Sequence, residues 1–381
     1  MTLRALMLLV LLALGPAVAR AQPSISDVSG TKAHNQTVTI TGTGFGSKSP
    51  AAPAVWDDSS GSTLSTLWSG GWPSSGDVDS RIQYRAAPYR SMAAPHSRTN
   101  RYIVGAHTSD AGFDAGYNVI FWKARTVSSF PAYTYASWYM RYDPNWPSNV
   151  DNNKTYDWSV GTSPYTGASY WYSEFRSGEN LVSNPACHVI DAGSSFDSDS
   201  GDWWGSSFGA NPKNSWVKAE HILRHSNSAN AGLILLRFNG TTCLDLSTRT
   251  DLYAGTQRND AIGGYANPTG QSNMWRFFTD VYLDYTWARV FRCDESTLAT
   301  CTNPTMMIPS SWSSTSINAL LYGGALSDSG TTYVYVCDAN NSCNSSGFAI
   351  TMSEAGPSPP IRLRFRTADL GIVPLALAAA L

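Results

Sequence analysis

Charge is scarce in this chain. Lys, Arg, Asp and Glu together make up 14% of 381 residues, and the formal net charge is −2. So weak a charge leaves no electrostatic footprint for a nucleic acid or an anionic membrane surface. Long apolar runs are also lacking. The run from Ala5 to Leu14 and the one that closes the chain are both shorter than the ~20 residues needed to span a bilayer. No C-x-x-C pair occurs, which removes support for zinc-ribbon and thioredoxin readings. No P-loop or dinucleotide fingerprint is found, so nucleotide binding has no motif behind it. Helical periodicity is missing through the whole middle of the chain.

What is present is β-structure and aromatic surface. Aromatics reach 12%, with 14 Trp and 19 Tyr beside 31 Gly, a mixture suited to exposed sheets with many turns. The strongest local signal is Leu233–Phe238, then Asn239-Gly240, then Thr241–Leu246. Two β-rich runs around Asn-Gly predict a hairpin on a type I′ turn, which needs positive φ at both central positions. Strand-like runs recur at Ala261–Ala266 and Trp275–Val290. The fold class expected is all-β.

The six cysteines are Cys187, Cys243, Cys293, Cys301, Cys337 and Cys343. Six allow 15 connectivities. The sequence does not choose among them; the favoured local pairs are Cys293–Cys301 and Cys337–Cys343, since each brackets a short polar segment, and Cys187 with Cys243 would then be the long-range bridge. Arg4, the apolar run after it and Ala19-Arg20-Ala21 have the form of a secretory signal with an A-x-A cleavage site. The expected product is a secreted, extracellular protein with no membrane span once mature, starting at Gln22. Segment 1–21 is therefore the signal, and 354–381 is a linker with a short apolar tail.

Two resemblances organise the rest. Val38-Thr39-Ile40-Thr41-Gly42-Thr43-Gly44-Phe45-Gly46 resembles the opening of an IPT/TIG domain, a small immunoglobulin-like sandwich. It covers segment 22–56, and the strands of 288–353 resemble the later part of the same fold. Either one immunoglobulin-like sandwich is split by an insertion, or there are two separate sandwiches. The segment between, 57–287, is similar to a concanavalin A-like jelly roll of the lectin, glucanase and polysaccharide-lyase superfamily. The likeness rests on the Trp216–Glu220 strand start, the Gly232–Gly240 hairpin and Asp280-Val281-Tyr282-Leu283-Asp284. It implies a carbohydrate ligand; it does not choose between binding and cleavage.

Period-2 alternation assigns faces. In 133–142, Ala136, Trp138 and Met140 form a core face, and Tyr133, Tyr135, Tyr139 and Arg141 the other. In 170–176, Trp171, Ser173 and Phe175 oppose Tyr170, Tyr172, Glu174 and Arg176, and His188 joins the polar set from the next run. Tyrosines, a carboxylate and guanidinium groups in register suit a saccharide: aromatic rings take its CH faces, polar groups its hydroxyls. The plainer alternative is a solvated sheet face. The catalytic candidates are His188, Tyr172, Arg141, Arg176 and Glu174, with His225 and Glu220 behind them. The E-x-D-x-x-E strand of jelly-roll glucanases is absent, as are the R-x-E-x-R and Q-x-H strands of alginate lyases. Gly205-Ser-Ser-Phe-Gly209 matches G-x-S-x-G in letters only.

No cofactor is required by this reading. Ca²⁺ is the ion that Asp143, Asp191, Asp280 and Asp284, or the loop with Asp197, Asp199 and Asp202, would suit. The expected partner is a polysaccharide or cell-surface glycan, without nucleic acid. The expected function is a secreted carbohydrate-binding protein holding a polysaccharide on this aromatic and polar face, because groove-type residues are present and no complete catalytic motif is. The alternatives are a polysaccharide lyase acting on uronate glycans by β-elimination and a structural or adhesive surface protein without a small ligand.

Overall fold

The computed structural model describes residues 22–61, 63–72, 82–96, 98, 100–107, 118–147, 150, 153–160, 170–176, 186–191, 202–228, 230–248, 256–267, 272–326 and 329–353. At Trp72, Asn118, Tyr170, Trp171, Tyr172, Arg176, Ile190, Asp191, Asp202 and Thr256 only the backbone is described. The signal segment, the tail, Asp197 and Asp199 lie outside these residues.

Strands carry the described chain, joined to two 3-10 turns at Leu64–Thr66 and Leu298–Thr300. They form three antiparallel sheets. The first runs in the order Thr241–Leu246, Leu233–Phe238, Val217–His225, Ala132–Tyr142, Trp275–Asp284, Arg101–Ala106, Ile82–Ala86, with Val55–Asp57 pairing against Trp275–Asp284. The second runs Asp202–Ser207, Ala186–Asp191, Tyr170–Arg176, Asn153–Val160, Thr256–Tyr265, Asn118–Val127, Gly70–Trp72. These two pack face to face. Ala136, Trp138 and Met140 from the first meet Tyr156, Trp158, Phe175 and Val189 from the second in one apolar core. The expected core face of the 133–142 run is the one that is buried there. The fold is all-β, a large sandwich plus a smaller β-unit.

That smaller unit is the third sheet, in the order Ser24–Ser29, Gln36–Thr43, Ser316–Leu321, Thr305–Trp312, Arg289–Cys293, Gly330–Cys337, Phe348–Met352. Its first two strands come from the start of the chain and the rest from the end. Gln36–Thr43 pairs with Ser316–Leu321 over six residue pairs, from Gln36 opposite Leu321 to Thr41 opposite Ser316. The sheet curls round its own core of Val38, Ile40, Phe45, Ile317, Val334 and Ile350.

The hairpin forms as expected, with Asn239 at φ 48° and Gly240 at φ 75°, the pair of left-handed conformations that a type I′ turn demands. Its tip packs on the smaller unit: a Cβ on Gly240 would come within 2.6 Å of the Cys301 carbonyl oxygen. All three expected disulfides are formed, Cys187–Cys243, Cys293–Cys301 and Cys337–Cys343. No helix among the described residues is long and apolar enough to cross a membrane.

Candidate functional site

The sandwich has two outward faces, and they differ. That of the first sheet carries Tyr133, Tyr135, Tyr139 and Arg141, the row expected to hold a glycan. Most of it is covered by the smaller unit. Tyr135 is fully buried with Ile222 and Tyr282 against Trp287, Phe291, Met306 and Tyr335. Its hydroxyl donates to Glu220 Oε1 at 2.7 Å, and the Arg289 guanidinium lies 4.4 Å from its ring centre. Tyr133 meets the Trp287 ring edge-on at 4.9 Å. Tyr139 is buried, donates to Asn303 Oδ1 and lies beneath Lys218 Nζ. Burial pushes the Tyr139 hydroxyl well above its ordinary range and pulls the Lys218 ammonium down to about 8. Alternation identified a second face, and at Tyr135 and Tyr139 that face packs on protein, while Tyr133 is half-buried. Arg141 lies apart, half-buried at a small cleft with Arg90, Asp143 and Asn273.

The other candidates near that sheet are also committed. Glu220 accepts the Tyr135 hydrogen bond. His225 Nε2 lies 2.9 Å from Thr134 Oγ1 inside the sandwich, and burial lowers its pKa. Asp280 pairs with His96 at 2.7 Å and Asp284 with Lys48 at 2.8 Å. Among the described residues no group of three or more His, Cys, Asp or Glu side chains is placed to hold a metal ion. Gly205 lies in a strand, where a Cβ would strike the Cys243 carbonyl oxygen and the Cys187 sulfur. It is there for close packing, and the esterase-like letters carry no nucleophile elbow.

The outward face of the second sheet brings together a different set. Tyr156, Trp158, Phe175, Cys187 and Val189 point into the core, so alternation sends Asp157, Ser159, Glu174 and His188 the other way. Backbone register aligns them in a row across four strands. Trp204 is opposite His188, His188 opposite Glu174, and Glu174 opposite Lys154. His188 Nδ1 is 2.9 Å from Glu174 Oε1, and both side chains are fully buried. The His188 ring stacks on Trp204, centres 4.1 Å apart and planes at 20°. Trp204 is the only large apolar side chain exposed among the described residues, at 54%.

The neighbouring row places Asp157 opposite Ala261, which faces Trp122. A register shift after Ser173 sets Lys154 and Asp157 on the same side, and the two interact electrostatically. Burial raises the Asp157 carboxyl to about 7, with Lys154 and Ser159 opposing the rise. Burial likewise lowers the Lys154 ammonium, against the pull of Asp157 and Glu174. A carboxyl that titrates near neutrality, an ammonium that is costly to keep charged and a carboxylate-bonded imidazole are proton-transfer groups.

Of the expected residues, then, Glu174 and His188 meet. The side chains of Tyr170, Tyr172 and Arg176 lie outside the description, although Tyr172 stands opposite Asp157 in register. Sequence reasoning missed Lys154, Asp157 and Trp204. A signal existed: in Asn153–Val160, Tyr156 and Trp158 alternate with Asp157 and Ser159, a buried aromatic row with a polar row behind it.

No protein-family model matches this chain, and no curated protein matches it in sequence. Several solved structures are similar to parts of this chain. An endo-β-1,4-glucuronan lyase from the fungus Trichoderma reesei is similar at a TM-score of 0.42 and 10% identity, covering 62% of this chain and 97% of the other. An alginate lyase mutant in complex with alginate trisaccharide gives 0.36 and 12%, covering 57% and 87%. A Bacillus licheniformis β-glucanase gives 0.31 and 10%, covering 56% and 98%.

Proposed function

We propose that this is a secreted glycan-acting protein that cleaves uronate-containing polysaccharide by β-elimination on the outward face of its second sheet. The observation that carries this is the row Trp204, His188, Glu174, Lys154, where an exposed indole adjoins buried acid–base groups. A sugar ring lies on Trp204 through its CH face. The Lys154 ammonium, when charged, neutralises the uronate carboxylate and so acidifies the C5 proton. His188, held through Nδ1 by Glu174, takes that proton at Nε2. The C5–H electron pair becomes the C4–C5 double bond and the C4–O bond breaks. Asp157 then gives its proton to the leaving oxygen. Since Asp157 delivers a proton only when protonated, turnover falls as pH rises through about 7.

Carbohydrate binding without cleavage is the second reading, favoured by the exposure of Trp204. We further infer that 57–287 is a sandwich inserted into a unit made of 22–56 and 288–353, because the strands of both flanks share one sheet. The three disulfides support an extracellular setting.

The test is incubation with alginate and with glucuronan while ultraviolet absorbance of the unsaturated uronate is followed. Absorbance should grow with wild type and be lost with Lys154→Ala. Trp204→Ala should raise KM about 2- to 13-fold, in keeping with ~0.5–1.5 kcal/mol for an aromatic contact. Retention on these polysaccharides with no absorbance would leave the binding reading; no retention and no absorbance would sink both.

A further inference from the structure

A second concavity lies on the opposite side of the sandwich, between the outward face of the first sheet and the smaller unit. It holds about 520 Å³, within the ~300–1,000 Å³ of small-ligand sites, which favour such junctions. Glu220 and Arg237, directly opposite one another on paired strands, form one wall. The hairpin at Gly240 and Thr242 extends it, and Arg289 and Phe291 contribute from the smaller unit.

Its remaining sides are loops with fixed ends. One is closed by Cys293–Cys301 and carries Leu298; the other is closed by Cys337–Cys343 and carries Asn341. The hairpin is seated against the first loop so closely that Gly240 has no room for a side chain. The concavity is thus pre-formed, which lowers the entropy lost on binding.

Its polar groups are unequally matched. Glu220 accepts from Tyr135, and Arg289 donates 2.8 Å hydrogen bonds to the Trp287 carbonyl and to Asn341 Oδ1. The Nε atoms of Arg237 and Arg289 are both buried, and neither has a hydrogen-bond partner among the described residues. Leaving a buried donor unmet is costly, and more so when it is charged. The lining holds two guanidinium groups to one carboxylate, so it has room for one further negative charge. Hydroxyl and amide groups of Thr242, Asn341, Ser342 and Ser345 surround that position, and Phe291 and Leu298 give it an apolar side.

We propose that this cleft binds a single carboxylated sugar unit, its carboxylate on Arg237 and Arg289 and its hydroxyls on the surrounding polar groups. The site is separate from the Lys154, Glu174 and His188 row. It anchors an acidic glycan to the back of the sandwich and takes no part in cleavage.

The experiment is calorimetric titration of the full chain with D-glucuronate, and with D-glucose as the uncharged control. Glucuronate should bind saturably and glucose should not. Arg237→Ala, at a partly exposed position, should weaken glucuronate at least ~10-fold, as expected for a lost charge-assisted contact. Arg237→Lys should recover part of the affinity, which controls for misfolding. Lys154→Ala should leave glucuronate binding at this cleft unchanged even where it ends cleavage. Equal affinity of Arg237→Ala and wild type, loss of all binding in Lys154→Ala, or no binding by wild type at millimolar glucuronate would each overturn the proposal. Titration with a uronate oligosaccharide separates the sources of the ligand: tighter binding than glucuronate, still sensitive to Arg237, identifies a chain end rather than a free sugar acid.

Discussion

Replacing Glu174 with Gln tests the acid–base row at its centre. The change keeps the shape of a fully buried side chain and removes its charge. The 2.9 Å contact to His188 Nδ1 is a hydrogen bond to a charged group, worth about 1.5–3 kcal/mol. If all of it is realised as the imidazole takes up a proton, its loss slows turnover by about 10- to 150-fold, at 1.36 kcal/mol per decade. A larger effect is available. The Gln amide can donate to Nδ1, which moves the ring proton to Nε2 and blocks the nitrogen that should accept from C5. Tautomer errors of this kind reach about 10⁴-fold. The expected result is a kcat lowered between about 10- and 10⁴-fold with KM altered little. Absorbance of the unsaturated product reports the rate, and circular dichroism with a thermal melt reports the fold. A folded variant with kcat within about threefold of wild type would refute the assignment of His188 as base.

Three further outcomes follow from the same geometry. Asp157 titrates near 7 in the folded protein against 3.8 in the free side chain, so the native state binds more protons between those values and loses stability as pH rises through them. Asp157→Asn should therefore gain on wild type from about pH 4 to about pH 7 and hold a constant lead above it, at most about 4 kcal/mol; a lead that shrinks with pH contradicts the assigned shift. Tyr139→Ala, which removes the hydrogen bond to Asn303 of the smaller unit, should lower the melting temperature by several degrees, from a loss of about 3 kcal/mol, while polysaccharide turnover stays as it was. Loss of glycan affinity at unchanged stability would restore Tyr139 as a ligand residue. Gly240→Ala should destabilise by about 1–3 kcal/mol, since φ is positive and the new Cβ meets Cys301; a denaturant midpoint equal to wild type would show that the hairpin tip is not seated there.

Different parts of this architecture were unequally legible in the letters. Asn239-Gly240 predicted its own turn because the constraint is local: two adjacent residues must adopt positive φ. The alternation of Ala136, Trp138 and Met140 revealed a core face because burial selects residue type directly. The opposite parity in the same strand suggests a groove, and there alternation reaches its physical limit. Period 2 separates two faces but carries no information on what lies against either one. Tyr135 and Tyr139 suit a glycan and an interface between two β-units equally well, since both want a flat apolar body with a polar tip. Covering that face takes Trp287, Phe291, Met306 and Tyr335, all at least 145 residues further on. The row of Lys154, Glu174 and His188 is assembled by register among three strands, and a shift after Ser173 decides which residue of the Asn153–Val160 strand joins it. Register of that kind comes from tertiary packing.

The sheet that joins both chain ends sets an order of events. Thr39 and Asn318, bonded side chain to side chain at 2.8 Å, are separated by nearly the whole sandwich in the chain. During synthesis the hairpin of Ser24–Ser29 and Gln36–Thr43 emerges long before Ser316–Leu321, the strand that Gln36–Thr43 pairs with. At ~5–20 residues per second, these early strands wait roughly a quarter of a minute or more with open edges. The intervening sandwich can collapse in that interval and draw the two flanks together, which shortens the effective loop to be closed. Their side chains suit the wait: Gln36, Thr37, Thr39 and Thr41 alternate with the apolar residues of that strand, and such polar positions are poor partners for premature pairing. Gln36–Thr43 completes its pairing only after the whole intervening sandwich has been made.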